Sequence, residues 1–197
     1  MHAELLIESI KKHIPLDNEE SKLLLSFFKQ RKMKMKQFLF QEGDICRYSS
    51  FVLKGCLRSF GLDENGVEHV FQFAMEGWWI NDMQSFNSET PSMMNVDALE
   101  DSEILLISKE DAGSLYRQLP KFERYSRLIL ENAYISHQER IIQSMCFTAM
   151  KRYQYFCDKY PSLVQRLPQT QIASYLGITP EFFSKMRSQL LRQTKTS

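Results

Sequence analysis

The chain has 197 residues, 43% of them hydrophobic, and its 25 basic and 24 acidic side chains leave a formal net charge of +1. This length allows one large domain or two modest ones, and the balanced charge argues against a general polyanion binder. No apolar run approaches the ~20 residues of a membrane span, so we expect neither a membrane segment nor a signal peptide.

The four cysteines, Cys46, Cys56, Cys146 and Cys157, lie far apart and form no Cys-x-x-Cys pair. A disulfide framework is not expected in a chain of this size without a secretion signal. An iron–sulfur or zinc site would need closer, paired ligands. We therefore predict reduced cysteines, no metal or other cofactor, and a cytoplasmic location.

The N-terminal residues 3–30 predict two helices, because leucine, isoleucine and phenylalanine recur there at helical spacing with a break near Pro15. Asp17 or Asn18 can cap the second helix. From Arg31 the period changes to two: methionine and lysine alternate within residues 32–41, which is typical of a strand with one solvated face.

Short strands follow, with a turn at Glu42-Gly43-Asp44 and a hairpin turn at Asp63–Gly66, where Asn-Gly is the marker. The predicted strands cover residues 51–55, 57–60, 67–73, 94–99 and 103–108. At least six short strands with frequent turns and no intervening helices predict a small antiparallel barrel or jelly roll.

The pattern becomes helical again at Ser108, and Pro120 opens a long helical stretch toward Tyr160 with a predicted break near Phe147. Two interpretations of this stretch stay open. Leu128, Ile135 and Ile142 recur every seven residues, with Phe122, Ile129 and Met145 nearby, as in a helical dimer seam. Asn132, Gln138 and Glu139 interrupt that seam, which favours packing on the chain's own barrel.

Residues 168–187 predict two short helices joined by a tight turn, the second able to lie in a DNA major groove. Ile172, Ala173 and Leu176 form the apolar face of the first helix, and Gly177 ends it at a left-handed position. Thr179 can cap the second helix, where Pro180 suits the first position.

The second helix is predicted to divide into an inner and an outer face. The residues expected to pack inward are Phe182, Phe183, Met186 and Leu190, and those expected outside are Glu181, Ser184, Lys185 and Arg187. From Phe182 to the end of the chain there are four basic residues, with Arg192 and Lys195 the last two, and no acid. This charge favours phosphate contacts over the alternative of an ordinary helical hairpin.

This order of elements resembles the CRP/FNR family of bacterial transcription regulators over roughly residues 5–193. The resemblance rests on the helix-turn-helix and on the barrel with its Glu42–Asp44 turn, its Val52–Gly55 strand ending and the segment Gly77–Pro91. It implies an α+β protein: an N-terminal antiparallel β jelly-roll barrel of the cyclic-nucleotide-binding type at residues 1–118, a connecting dimerisation helix at 119–145, and an all-α DNA-binding domain at 146–197.

The resemblance also implies a homodimer on double-stranded DNA, in which a small-molecule effector in the barrel shifts the long helices. It places Thr170 and Gln171 at the DNA backbone, Thr179 at the start of the reading helix, and Arg187 near phosphate. Glu181, Ser184 and Lys185 would face the groove.

The sequence departs from the family in the segment that would hold a cyclic nucleotide. The family uses a Gly-Glu pair and an arginine after a proline, whereas the matching stretches here are Gly77-Trp78-Trp79 and Pro91-Ser92-Met93. Without a cation, a cyclic phosphate would lose hydrogen bonds of about 1.5–3 kcal/mol each, so we expect no tight cyclic AMP binding. The candidate effector pocket comprises Gly77, Trp78, Trp79, Asp82, Pro91 and Ser92, with Gln84, Phe86 and Met93 nearby.

The sequence also allows other interpretations of the pocket and of the function. The tryptophans of the candidate pocket would instead fill the barrel core if no effector binds. A cupin-type enzyme would need closely spaced histidine ligands, but His2, His13, His69 and His137 are scattered, so we expect no enzyme. The remaining alternative is a barrel that binds a small molecule or a partner protein and carries an inactive helix-turn-helix.

Overall fold

A computed structural model describes residues 3–193 of the chain, as nine helices and eight strands. The chain divides into two compact units, one comprising Met1–Leu62 and Phe71–Asn132, the other Asp63–Val70 and Ala133–Ser197. None of the helices in the described part combines the length and apolar character that crossing a membrane requires.

The first unit combines helices with two antiparallel sheets. Its helices are α1 (Glu4–Lys11), α2 (Asn18–Ser26), α3 (Met83–Ser88), α4 (Lys109–Gln118) and the first part of α5 (Lys121–Cys146). The strands are β1 (Lys29–Met33), β2 (Phe38–Phe40), β3 (Tyr48–Lys54), β4 (Leu57–Leu62), β5 (Glu68–Ala74), β6 (Trp79–Ile80), β7 (Asn95–Ala98) and β8 (Ser102–Ser108). The first three residues of β5 belong to the second unit.

The two sheets have the strand orders β1-β8-β3-β6 and β2-β7-β4-β5. Strand alternation on β3 separates two cores, because successive side chains point to opposite faces. Phe51 and Leu53 pack with α1, α2, α4 and the start of α5, whereas Val52 packs with Leu57 and Val96 of the other sheet. The predicted fold class, an antiparallel barrel followed by helices, is therefore confirmed.

Three details of the barrel differ from the sequence-based expectation. The strand predicted over residues 32–41 is divided into β1 and β2, because Lys36 adopts a left-handed backbone (φ 67°) and ends the alternation. Met35 consequently lies exposed, while Met33 is buried. The expectation of no intervening helices was wrong, since α3 lies between β6 and β7 and is capped by Asp82.

The second unit is built from the rest of α5 and four shorter helices, α6 (Ala149–Lys159), α7 (Pro161–Arg166), α8 (Gln169–Leu176) and α9 (Pro180–Gln193). The predicted break near Phe147 is confirmed: α5 ends at Cys146, and Thr148 caps α6 by accepting a hydrogen bond from the Lys151 N–H. Buried aromatic rings form the core of the unit, where Tyr153 and Phe183 meet edge to face with centroids 5.0 Å apart.

Hairpin residues 63–70 belong to this second unit, and side-chain-to-backbone hydrogen bonds connect them with α8 and Arg140. The Ser174 hydroxyl donates to the Glu68 carbonyl (2.6 Å) and accepts from the Val70 N–H (3.0 Å). Arg140 donates to the carbonyls of Val70 (2.7 Å) and Tyr175 (2.9 Å), with its guanidinium 4.0 Å from the Tyr175 ring. These bonds fix the position of α8 within the unit.

Candidate nucleic-acid interface

The turn between α8 and α9 depends on one glycine. Gly177 has φ 67°, and its N–H donates to the Ser174 carbonyl (3.0 Å) while the next N–H, of Ile178, reaches the Ala173 carbonyl (3.1 Å). These bonds satisfy carbonyls at the end of α8 that have no partner within the helix. The chain therefore leaves α8 sharply and begins α9 three residues later.

The start of α9 is capped as the sequence predicts. The Thr179 hydroxyl accepts from the Phe182 N–H (3.2 Å), and its carbonyl accepts from the Phe183 N–H (3.0 Å). Pro180 occupies the first helical position, where it lacks only an N–H that has no helical partner. Glu181 lies in the first turn, near the positive end of the helix dipole.

Burial separates the two faces of α9. Phe183 is 1% exposed and Met186 is 4% exposed, whereas Glu181, Ser184 and Lys185 are exposed. The prediction that Phe182 packs inward was wrong: 52% of it is exposed, and it lies about 100° around the helix from the buried Phe183. The side chains of Leu190 and Arg192, and all of Lys195, fall outside the described residues.

The other predicted DNA-contacting residues lie at the edges of this surface. Thr170 is exposed and Gln171 is half-buried, both in the first turn of α8. Arg187 is half-buried, with its guanidinium 5.9 Å from the centroid of the Phe183 ring.

Arg152 supports the helix pair and was not identified from the sequence. Its Nε donates to the Leu176 carbonyl (3.1 Å) and its Nη1 donates to the Phe147 carbonyl (2.8 Å). It therefore joins the end of α8 to the junction between α5 and α6. Spacing along the chain gives no signal for this role, since the two carbonyls belong to distant segments.

The exposed side of α5 is a second candidate surface. Its apolar residues, here called the α5 stripe, are Leu130, Tyr134, Ile135, Ile141, Ile142 and Met145, each at least half exposed. Tyr134, Ile141 and Met145 are spaced by seven and four residues, which places them on one side of the helix. Phe122 and Ile129, by contrast, pack into the core of the first unit.

The two tryptophans of the candidate effector pocket pack into different cores. Trp79 lies against Phe51 (centroids 5.3 Å apart), and its indole N–H donates to the Tyr125 hydroxyl (3.0 Å). Burial raises the pKa of that hydroxyl above its ordinary value. Trp78 is half-buried against the core between the two sheets. The structure therefore does not place the two indole rings in the lining of one pocket.

The polar residues of the candidate pocket hydrogen-bond to one another. Asp82 accepts from the Ser85 N–H (3.0 Å) and the Ser92 hydroxyl (2.8 Å), and both Asp82 and Ser92 are buried. Gly77 is at a left-handed turn (φ 85°), and Pro91 pairs with Ile45 in an isolated bridge. Gln84 is exposed, Phe86 is half-buried and Met93 is 78% exposed.

Comparison with known proteins agrees with this architecture. A family model described as the cyclic nucleotide-binding domain matches residues 30–118. The chain is 24% identical over 187 residues to the anaerobic regulatory protein of Pasteurella multocida, covering 89% of this chain and 68% of that protein. It is 25% identical over 172 residues to the regulatory protein HlyX of Actinobacillus pleuropneumoniae, covering 80% and 70% respectively. The chain therefore resembles the CRP/FNR regulators in sequence and in fold.

Solved structures of regulatory proteins share the fold of this chain. FixK2 from Bradyrhizobium japonicum superposes with a TM-score of 0.72 at 19% identity, covering 85% of this chain and 86% of FixK2. The c-di-GMP-responsive regulator CLP from Xanthomonas campestris gives 0.73 at 16% identity, covering 90% and 93%. The CRP/FNR resemblance predicted from the sequence is confirmed.

Proposed function

We propose that this chain is a homodimeric, sequence-specific DNA-binding transcription regulator in which α9 enters the major groove. One observation carries the proposal. The turn at Gly177 and the cap at Thr179 hold α9 with Phe183 and Met186 buried, so that its polar first turns face solvent. A helix supported on its apolar face and polar on the other is the reading element of helix-turn-helix proteins.

Each exposed side chain has a role that follows from its chemistry. Lys185 donates to guanine O6 and N7, and Glu181 accepts from the amino group of cytosine. Ser184, one residue before Lys185, can bond to either base edges or phosphate. At the edges, Thr170, Gln171 and Arg187 reach phosphate oxygens, which set the register of the protein on DNA without reading sequence.

The α5 stripe is the proposed seam of the homodimer. Six large apolar side chains at half exposure or more on one helix would be costly to leave in water, and burial gains roughly 1.5–3 kcal/mol for each fully covered side chain. Two copies related by a two-fold axis would carry two α9 helices, so the expected target is an inverted repeat with half-sites about 10 base pairs apart.

The barrel is proposed not to bind cyclic AMP in the family's usual way. Residues 77–94 contain no lysine or arginine, and the carboxylate of Asp82 is already engaged by Ser85 and Ser92. Lys109 does reach this segment, but its ammonium group bonds to the Asn87 carbonyl (2.8 Å) and Glu89 (3.0 Å). Cyclic AMP at millimolar concentration is expected to leave the melting temperature unchanged within about 1 °C, because a ligand stabilises only the state that binds it.

We further propose a cytoplasmic protein without catalytic activity. The four cysteines are thiols rather than disulfides in the described chain. In residues 3–193 no group of three or more His, Cys, Asp and Glu side chains has the arrangement of a metal site. The relatives that the chain matches are regulatory proteins, which supports a role in binding.

The proposal is tested by selection from a random double-stranded DNA pool, followed by affinity for the winning sequence across a salt series. An enriched inverted repeat is expected, with affinity that falls steeply as salt rises. Lys185→Ala should lower the affinity by about 1–3 kcal/mol and relax the preference at one base pair. Lys22→Ala, which removes an exposed lysine of the first unit, is the matched control and should leave the DNA affinity unchanged.

Sedimentation of a charged variant tests the dimer separately. Ile141→Asp places a carboxylate in the α5 stripe and should give monomers with greatly weakened DNA binding. Ala133→Asp adds the same charge at an exposed position on another side of α5 and should remain dimeric. A parent protein that sediments as a monomer on DNA as well would contradict the proposed assembly.

A further inference from the structure

An exposed phenylalanine interrupts the polar face of α9. Phe182 is 52% exposed, although its neighbour Phe183 is 1% exposed. The other exposed residues from 181 to 189 are polar: Glu181, Ser184, Lys185, Ser188 and Gln189. The backbone at Phe182 is fixed by the helix start, because its N–H donates to the Thr179 cap. An exposed aromatic ring on an otherwise hydrophilic surface suits an apolar group in whatever that surface binds.

We propose that Phe182 reads the C5-methyl group of a thymine next to the base pair that Glu181 contacts. This inference rests on the proposed function. The thymine methyl is the apolar group that the edges of the bases present in the major groove, and phenylalanine is among the side chains that contact it. Residues 181 and 182 differ by about 1.5 Å along the helix and about 100° around it, so their side chains enter the groove side by side and can reach neighbouring base pairs.

Deoxyuridine isolates this contact, since it differs from thymidine only by the methyl group and forms the same base pair. The probe is the inverted repeat selected by the parent protein, with each thymine of one half-site replaced in turn. Affinity is measured by fluorescence anisotropy at one salt concentration. Burial of one methyl group corresponds to about a fourfold change in an equilibrium constant.

One thymine position, beside a C·G pair, is expected to lose about fourfold in affinity for the parent protein when it becomes deoxyuridine. Phe182→Ala should bind the two DNA molecules equally, while Gln189→Ala, two turns further along the same edge of α9, should keep the fourfold difference. Because Phe182 is exposed, its variant should melt at the parent temperature, which circular dichroism checks.

Three results would overturn the inference. The first is a Phe182→Ala variant that retains the parent's sensitivity to deoxyuridine, and the second is a parent in which no thymine position responds. The third is a variant that loses affinity equally on every sequence, which would place the ring on the sugar–phosphate backbone. In all three cases the parent still selects a site, and the proposed function stands. A parent that selects no site removes the proposed function together with this inference.

Discussion

Removal of the Asp97 carboxylate is expected to destabilise the barrel strongly. Arg58 on β4 and Asp97 on β7 are cross-strand partners, and the guanidinium donates twice to the carboxylate, Nε to Oδ1 at 2.8 Å and Nη2 to Oδ2 at 3.0 Å. The two side chains are 7% and 8% exposed, so water screens the pair poorly. The guanidinium also lies 4.0 Å from the centroid of the Phe60 ring.

The magnitude follows from this geometry. Loss of one partner from a buried, doubly hydrogen-bonded ion pair typically costs about 3–5 kcal/mol, because the remaining charge stays in a poorly solvated site. We therefore expect Asp97→Ala to lower the free energy of unfolding by about 3–5 kcal/mol. The double variant Arg58→Met/Asp97→Leu removes both charges and should recover most of that loss, since apolar replacements of buried ion pairs are often neutral or stabilising.

Urea unfolding followed by tryptophan fluorescence measures this effect in the first unit, because Trp78 and Trp79 both belong to it. The reasoning would be refuted if Asp97→Ala unfolded within about 1 kcal/mol of the parent. It would also be refuted if the double variant were as unstable as Asp97→Ala, since the loss would then reflect packing rather than charge.

Three further predictions concern the second unit. Gly177→Ala should cost about 1–2 kcal/mol, because an added Cβ meets nothing within 4 Å and only the left-handed backbone is strained; Gly177→Asn should cost less in the same thermal melt. Phe183→Ala should cost about 3–5 kcal/mol and abolish DNA binding, while tryptophan fluorescence from the first unit stays unchanged. Hydrogen bonds from Lys159 (2.6 Å) and Tyr155 (2.9 Å) lower the pKa of Glu139. Its stabilising effect is present above the unfolded pKa of about 4.3 and is lost as the pH falls below it, so the difference in melting temperature between the parent and Glu139→Gln should shrink from pH 6 to pH 3. A constant difference would show that Glu139 acts only by packing.

Local patterns in the sequence were sufficient to predict the helix caps and turns of this protein. Asp17 forms a capping box with Glu20, and Thr179 caps α9 as its spacing predicts. Asn65-Gly66 lies in the hairpin turn, where the Gly66 N–H donates to the Asp63 carbonyl. These features depend on residues within four positions of one another, so composition and spacing along the chain contain the whole interaction.

Face assignments were less reliable where two apolar residues adjoin. The pair Phe182-Phe183 and the pair Trp78-Trp79 each look uniform in sequence, but in each pair the partners have different surroundings. On a helix, successive residues differ by about 100°, so adjoining apolar residues cannot share the centre of one buried stripe. Which of them is buried depends on where the packing partners lie.

The sequence by itself determined the helix caps, the left-handed turn at Gly177 and the resemblance to CRP/FNR regulators. Only the tertiary structure decided that Asp82 bonds to Ser92, that Arg152 holds the end of α8, and that Phe182 faces outward. The physical reason is the separation along the sequence between the residues that interact. Caps and turns are formed by residues that lie close together in the sequence. Burial and side-chain hydrogen bonds join segments that are far apart in the sequence, and no repeating pattern of residues predicts which segments meet.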